Sequence, residues 1–564
     1  MEENNMKKNY RALSMIMALV MVFSIFTVSA IAGDNDYVRY VTATGSATAK
    51  GTKSNPWSLD DLASENAVAL INEKISAGDR TGVVINVSSD ELYYTTLVLN
   101  GIKGTATTPV TVVCNYNASV TDGSGSNSGL TTEQGNGIDI IDCTFITVKN
   151  ISISAVNGNG IHIKNSSDVV LENVDSYVAN QSVKKTMNKP VDFEGENKNV
   201  SITGCDFKYV EAPITINTGV ENVSFSNGSV EYSKSAALIV DGVDGFNVDG
   251  FTAKAAYYVE IPEVGEGEAI PNVEPVTDAA VVIKNCNNVT FANAKITDSN
   301  GPAISLINTK NTVVSNVFSQ GNAAFMINSL QADSYVAVTY CISSNDNKLP
   351  TVFSTTDTTV MGIFNNTFYK PKSLDMSKLK LSVIANNIYD MELLGEVKIA
   401  KENWFNTNCY HYTNVNDGDD AVLAHPQYAS SQTMTGTVLS EFILDDDSPM
   451  VEGGTNIYDK YGVAVPLTWF VAQDMFGNTI DYRAKTANIG AYAGVGVQVK
   501  QRDEIDQDAD LKEFKNAITK MKIKSFLDKF IPAPVQEFFS NIFSKFAESA
   551  TKVITKIIAK FVNK

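Results

Sequence analysis

Asp139, His162, Lys164, Asp192 and Glu194 are the residues whose types and spacing could do chemistry in this chain. They sit in short apolar–x–apolar runs: Ile138-Asp139-Ile140, Ile161-His162-Ile163-Lys164 and Val191-Asp192-Phe193-Glu194. On a strand, a side chain flanked by two buried neighbours points the other way, toward solvent. Asp139 lies eleven residues before Asn150, and His162 eleven before Asn173. Asp192 lies twelve before Gly204, a shift of one. If the three runs stack, Asp139, His162 and Asp192 form an outward column with about 4.8 Å between rungs. Lys164 and Glu194 form the neighbouring column. An imidazole among carboxylates, with an amine beside it, could move a proton, bind a sugar or hold a cation. These five are therefore the candidate catalytic residues. They equally suit a solvated outer face on which opposite charges in adjacent rungs attract slightly. The insertion at 177–189, with Tyr177, Lys184 and Lys185, is expected to overhang this face.

The elements that position them follow from a recurring slot at Asn150, Asn173, Gly204, Asn227, Gly250, Asn293, Asn316, Asn366 and Asn387. The steps are 23, 31, 23, 23, 43, 23, 50 and 21 residues. The step of 50 reads as two coils, and those of 31 and 43 as one coil with insertions of about 8 and 20 residues. Short β-branched runs with Asn and Gly corners, repeated at this period, predict an all-β parallel solenoid with coils of about 23 residues. The slot asparagines are expected to turn inward and bond to the Asn above and below. The six cysteines fall in separated coils. Cys143 and Cys286 share a column, and Cys205 lies in another. They read as isolated core thiols rather than disulfides.

The chain divides by composition. Residues 1–32 read as a signal peptide: Lys7, Lys8 and Arg11, an apolar run over 13–28, then Ala30-Ile31-Ala32. Secretion follows, with attachment to the cell surface as a further expectation. Residues 33–136 read as an N-terminal cap and first coils. Within them, a helical pattern from Ser58 to about Ile75 could cover an open solenoid end. Residues 137–407 carry the coils, and 408–497 a closing segment in which His411 and His425 read as structural. The acidic stretches at 260–278, 417–420 and 445–447 read as loops. Residues 498–564 read as a Lys-rich amphipathic helical tail. The formal net charge is −19, and 511–564 hold eleven lysines against four acids, so the excess of acid lies in the rest of the chain. That argues against nucleic acid as a partner. The basic tail instead suits an anionic envelope or membrane surface.

The N-terminal part resembles the cap of right-handed parallel β-helix proteins of the pectate-lyase-like group, especially family 9 polysaccharide lyases. The matching residues are Tyr40-Val41, Gly51-Thr52, Asn55-Pro56-Trp57-Ser58-Leu59, Ala77-Gly78-Asp79, Gly104-Thr105, Thr108-Pro109-Val110 and Thr121-Asp122-Gly123-Ser124-Gly125. The end resembles that group's closing segment at Asn403-Trp404-Phe405, His425-Pro426-Gln427-Tyr428, Ser448-Pro449, Asp474-Met475-Phe476-Gly477-Asn478 and Asn488-Ile489-Gly490-Ala491-Tyr492. The resemblance implies a right-handed coil and a polysaccharide or cell-surface glycan as partner. Lyases of the group hold calcium on aspartates and remove a proton with lysine. Their paired-aspartate turn is not recognisable in these coils, so calcium is a candidate cofactor without assigned ligands. Two functions stand open: a non-catalytic, adhesin-like glycan binder, and a polysaccharide lyase acting by β-elimination on an acidic polysaccharide.

Overall fold

The computed structural model describes residues 36–494 except 47, 89–91, 94, 115–128, 133–134, 156–157, 177–186, 260–275, 329–333, 346–350, 356–358, 372, 380–381, 392–395, 400–403, 407, 412–420, 430–433, 456, 458–471 and 481–485. The expected signal peptide, the tail, the 177–186 and 260–275 insertions and the 417–420 acids lie outside the described residues. The chain forms two compact units, Met1–Phe207 and Lys208–Lys564.

In the first unit every named ladder is parallel. Tyr37–Val41, Val83–Val87, Val110–Cys114, Thr144–Ala155, Ser167–Ser176 and Asn197–Thr203 pair in succession. A second ladder joins Leu97–Asn100, Ile138–Ile141, Ile161–Lys164 and Val191–Glu194. Alternation sets the faces: Ile138, Ile140, Ile161, Ile163 and Val191 are fully buried, whereas the residues between them reach solvent. Cys143 and Cys205 are buried free thiols. Burial pushes the Cys205 thiol up to about 12, which suits a small core residue.

The helical pattern resolves into two helices. Ser58 caps Leu59–Leu62 in a capping box with Asp61, and Ser64 caps Glu65–Ala77. The second cap interrupts what the apolar spacing presents as one helix. Glu65–Ala77 ends at Gly78 in the left-handed conformation, φ 65°. Its Asn72 side chain donates to the Gly101 carbonyl and accepts from the Lys103 amide, both at 2.9 Å.

The second unit repeats the parallel pairing from Val220–Ser233 through Asn247–Lys254, Asn287–Ile307, Lys310–Asn328, Tyr335–Thr339, Val360–Phe364, Val383–Ala385 and Trp404–Asn406. A further ladder joins Ile342–Asn345, Thr367–Tyr369, Ile388–Asp390 and Cys409–His411. A closing segment packs on the outer side of this ladder, where Tyr428, Phe442, Leu444, Met450 and Ile489 cover Tyr369, Ile388 and Cys409.

The slot residues correct the expectation of an inward Asn ladder. Asn150, Asn173, Asn227, Asn293 and Asn316 occupy left-handed corners with φ between 50° and 57°. Most lie at the surface, and their amides bond outward from coil to coil: Asn173 to Asn150 at 3.2 Å, Asn316 to Asn293 at 3.0 Å. A short polar side chain tolerates this backbone, and a corner aims it away from the core. Gly204 and Gly250 take the slot for a steric reason as well. A Cβ there would meet Asn173 Oδ1 or Asn227 Oδ1 at 2.5 Å.

The register also slips late in the chain. Tyr340 takes the corner after Asn316, and Asn365 and Asn386, rather than Asn366 and Asn387, take the next two, with φ of 53°, 55° and 55°. Asn366, Asn387 and Asn408 are instead the buried inward ladder. Asn366 Nδ2 donates to Asn387 Oδ1, and Asn387 Nδ2 to Asn408 Oδ1, each at 3.0 Å.

Candidate functional site

The candidate column is real in register. Asp139 pairs with His162 across Ile138–Ile141 and Ile161–Lys164, and His162 with Asp192 across Ile161–Lys164 and Val191–Glu194. Lys164 and Glu194 are partners in the same ladder. All five reach the surface: side-chain exposure is 20% for Asp139, 14% for His162, 36% for Lys164, 23% for Asp192 and 54% for Glu194.

Contacts within the column differ from a simple acid–His–acid stack. His162 Nδ1 lies 3.2 Å from Asp139 Oδ1, and Nε2 lies 3.1 Å from Glu194 Oε2. Asp192 is not the second acid. It accepts from Lys189 Nζ at 2.6 Å and Asn159 Nδ2 at 3.2 Å. A glutamate two residues along the strand reaches diagonally where the shorter aspartate beside the ring is already held by Lys189. Lys164 Nζ donates to Glu194 Oε1, and that bond holds the Glu194 carboxyl below its ordinary value. Carboxylates only accept, so His162 satisfies both neighbours only when both ring nitrogens carry protons.

Four residues of this face were not singled out from sequence. Asn136 Nδ2 donates to Asp139 Oδ1 at 2.7 Å, the Asn159 amide donates to Asn136 Oδ1 at 3.1 Å, and Asn188 Nδ2 donates to Asn159 Oδ1 at 3.0 Å. With Lys189 they fix both aspartates. All four precede their acid or His by three or four residues, a spacing visible in the chain once the column is aligned.

A second Asp–His pair occurs in the second unit. Asp390 and His411 are register partners, and His411 Nδ1 lies 2.6 Å from Asp390 Oδ1. Asp390 is 6% exposed. Burial pushes its carboxyl above the ordinary value, and the His411 hydrogen bond works against that shift. The His425 ring meets His411 edge-on at 4.7 Å between centroids, and His425 Nδ1 accepts the Gln427 amide at 2.8 Å. Asp445, Asp446 and Asp447 are exposed in a turn. Among the described residues no group of three or more His, Cys, Asp or Glu is placed to hold a metal ion.

No family model and no curated protein matches the chain. Among solved structures it is similar to a GH136 lacto-N-biosidase from Eubacterium ramulus, at 14% identity and TM-score 0.40, over 69% of this chain and 68% of that one. It is also similar to pectate lyase Pel9A, at 13% identity and TM-score 0.32, over 82% of this chain and 97% of that one. A third is the PL6 family polysaccharide lyase Pedsa3628 from Pseudopedobacter saltans, at 11% identity and TM-score 0.42, over 67% of this chain and 97% of that one.

Proposed function

We propose that this chain is a secreted, cell-surface parallel β-helix protein that binds a polysaccharide or cell-surface glycan without cleaving it. The binding face is Asp139, His162, Lys164, Asp192 and Glu194, framed by Asn136, Asn159, Asn188 and Lys189. In the same reading the coil is right-handed with about 23 residues, Glu65–Ala77 caps its first turn, and the tail at 511–564 contacts an anionic envelope or membrane surface.

One observation carries the reading. Every charged side chain on the face is engaged by an opposite charge or by a histidine, in the chains Lys164–Glu194–His162–Asp139 and Lys189–Asp192. Elimination needs a base with a lone pair within reach of the proton. An ammonium bound to Glu194 has none. A fixed array of carboxylates and carboxamides suits hydroxyl recognition instead. The test is incubation of the purified protein with a panel of polysaccharides, polygalacturonate with and without calcium included. Retention without product release is expected, with retention lost in His162→Ala. Unsaturated, ultraviolet-absorbing products that disappear in Lys164→Ala would establish the lyase alternative instead.

A further inference from the structure

We infer that the glycan held by this face is an uncharged chain, recognised through its hydroxyls, and not an acidic polysaccharide. The inference rests on the glycan-binding reading and names its substrate class.

The argument is one of charge balance. The face carries three carboxylates, Asp139, Asp192 and Glu194, and two ammoniums, Lys164 and Lys189. With His162 protonated these groups cancel, and with His162 neutral one negative charge is left over. Among its described residues the face is thus never net positive while the carboxylates are ionised.

A uronate carboxylate needs a cation to pair with. Lys164 is bound to Glu194, and Lys189 lies 2.6 Å from Asp192. To take a uronate, either ammonium must release its own carboxylate and leave it beside the incoming anion. Like charges so placed repel, and that repulsion discriminates against the acidic chain.

A hydroxyl asks for less. It donates to one oxygen and accepts from one N–H without separating any ion pair. Both side-chain contacts of Asp139, from Asn136 and His162, fall on Oδ1. A carboxylate offers further lone pairs, and the second oxygen can accept a hydroxyl proton. The Asn136, Asn159 and Asn188 carboxamides run alongside, one per coil, with the Asn188–Asn159 bond at the surface. A row of carboxamides next to a row of carboxylates offers acceptors and donors side by side, as neighbouring hydroxyls on a sugar ring require.

The experiment compares neutral polysaccharides (a β-glucan, a mannan, a galactan and N-acetylglucosamine oligomers) with polygalacturonate and alginate. Each is tested at low and at physiological salt, on the full-length mature protein and on Glu194→Gln. The unaltered protein should retain a neutral chain with affinity that changes less than about twofold between the two salt conditions. Its face should not retain either uronan, so any uronan held at low salt through the basic tail at 511–564 should be unchanged by His162→Ala. Glu194→Gln leaves Lys164 without its carboxylate and should gain uronan retention of about threefold or more at low salt. Retention of a uronan by the unaltered protein, lost in His162→Ala, would overturn the uncharged-chain inference and leave the glycan-binding function standing. Failure of Glu194→Gln to gain uronan retention would remove charge balance as the cause and overturn the inference likewise. Retention of no polysaccharide of either class would overturn both.

Discussion

His162 and His411 each face an aspartate one coil away, yet their surroundings are opposite. Asp139 and His162 lie on an outer face of the first unit open to solvent, at 20% and 14% side-chain exposure. Asp390 and His411 lie on an outer face of the second unit that the closing segment covers, and Asp390 is 6% exposed. In the first unit a second carboxylate, Glu194, balances the ring and an ammonium balances Glu194. In the second, burial dominates and pushes the carboxyl up. The same pair of residue types at the same coil-to-coil register therefore meets two different environments. One pair reaches solvent; in the other Asp390 is buried, with His411 against the His425 ring of the closing segment.

The slot asparagines show the same contrast, and substituting them should give the largest effect. Asn386 Nδ2 donates to the Thr455 carbonyl at 2.8 Å, and Asn386 Oδ1 accepts the Thr455 amide at 2.9 Å. Asn386→Ala removes both of these bonds to the covering segment and should cost about 2 kcal/mol. Asn173→Ala, at an exposed corner of nearly the same φ, should cost about 1 kcal/mol. Denaturant titration of the two variants measures the difference, and equal losses would break the comparison.

Asp390→Ala is of similar size. It removes a buried acceptor from His411 and should destabilise by about 2 kcal/mol, whereas Asp139→Ala should cost less than about 1 kcal/mol. The pH responses should then differ in sign. Asp390 has a raised carboxyl, so the folded state binds its proton more tightly than the unfolded chain does. The pH-linked part of its contribution is fully present below the ordinary carboxyl value of 3.8 and is lost as pH rises through the raised value. Glu194 is lowered, so its contribution is present above the ordinary value of 4.5 and is lost as pH falls through the lowered value. Stability measured from acid to neutral pH for Asp390→Asn and Glu194→Gln should show the two slopes removed in opposite directions. Parallel pH profiles would contradict the assignment. The smallest effect on stability belongs to His162→Ala, within about 1 kcal/mol because its partners remain solvated.

Much of this was legible in the chain. Alternation places Ile138, Ile140, Ile161 and Ile163 inside and Asp139 and His162 outside, and the slot spacing aligns the column. The diagonal reach of Glu194 to His162 was not legible, because register fixes Cα partners while side-chain length decides contacts. Nor was the late slip of the slot, where Tyr340 sits at a left-handed corner that the sequence pattern reserves for Asn or Gly. The cover over Asp390 escaped for a different reason. It is built from an aperiodic segment whose Tyr428, Phe442 and Ile489 come from distant positions, and spacing carries no signal for such packing.

The central claim is that the open Asp–His face binds a glycan and the covered one does not. Its most direct test is polysaccharide retention by His162→Ala and His411→Ala, each first shown to be folded. The account predicts that His162→Ala loses retention at near-native stability, while folded His411→Ala keeps it. Full retention by His162→Ala would contradict the account.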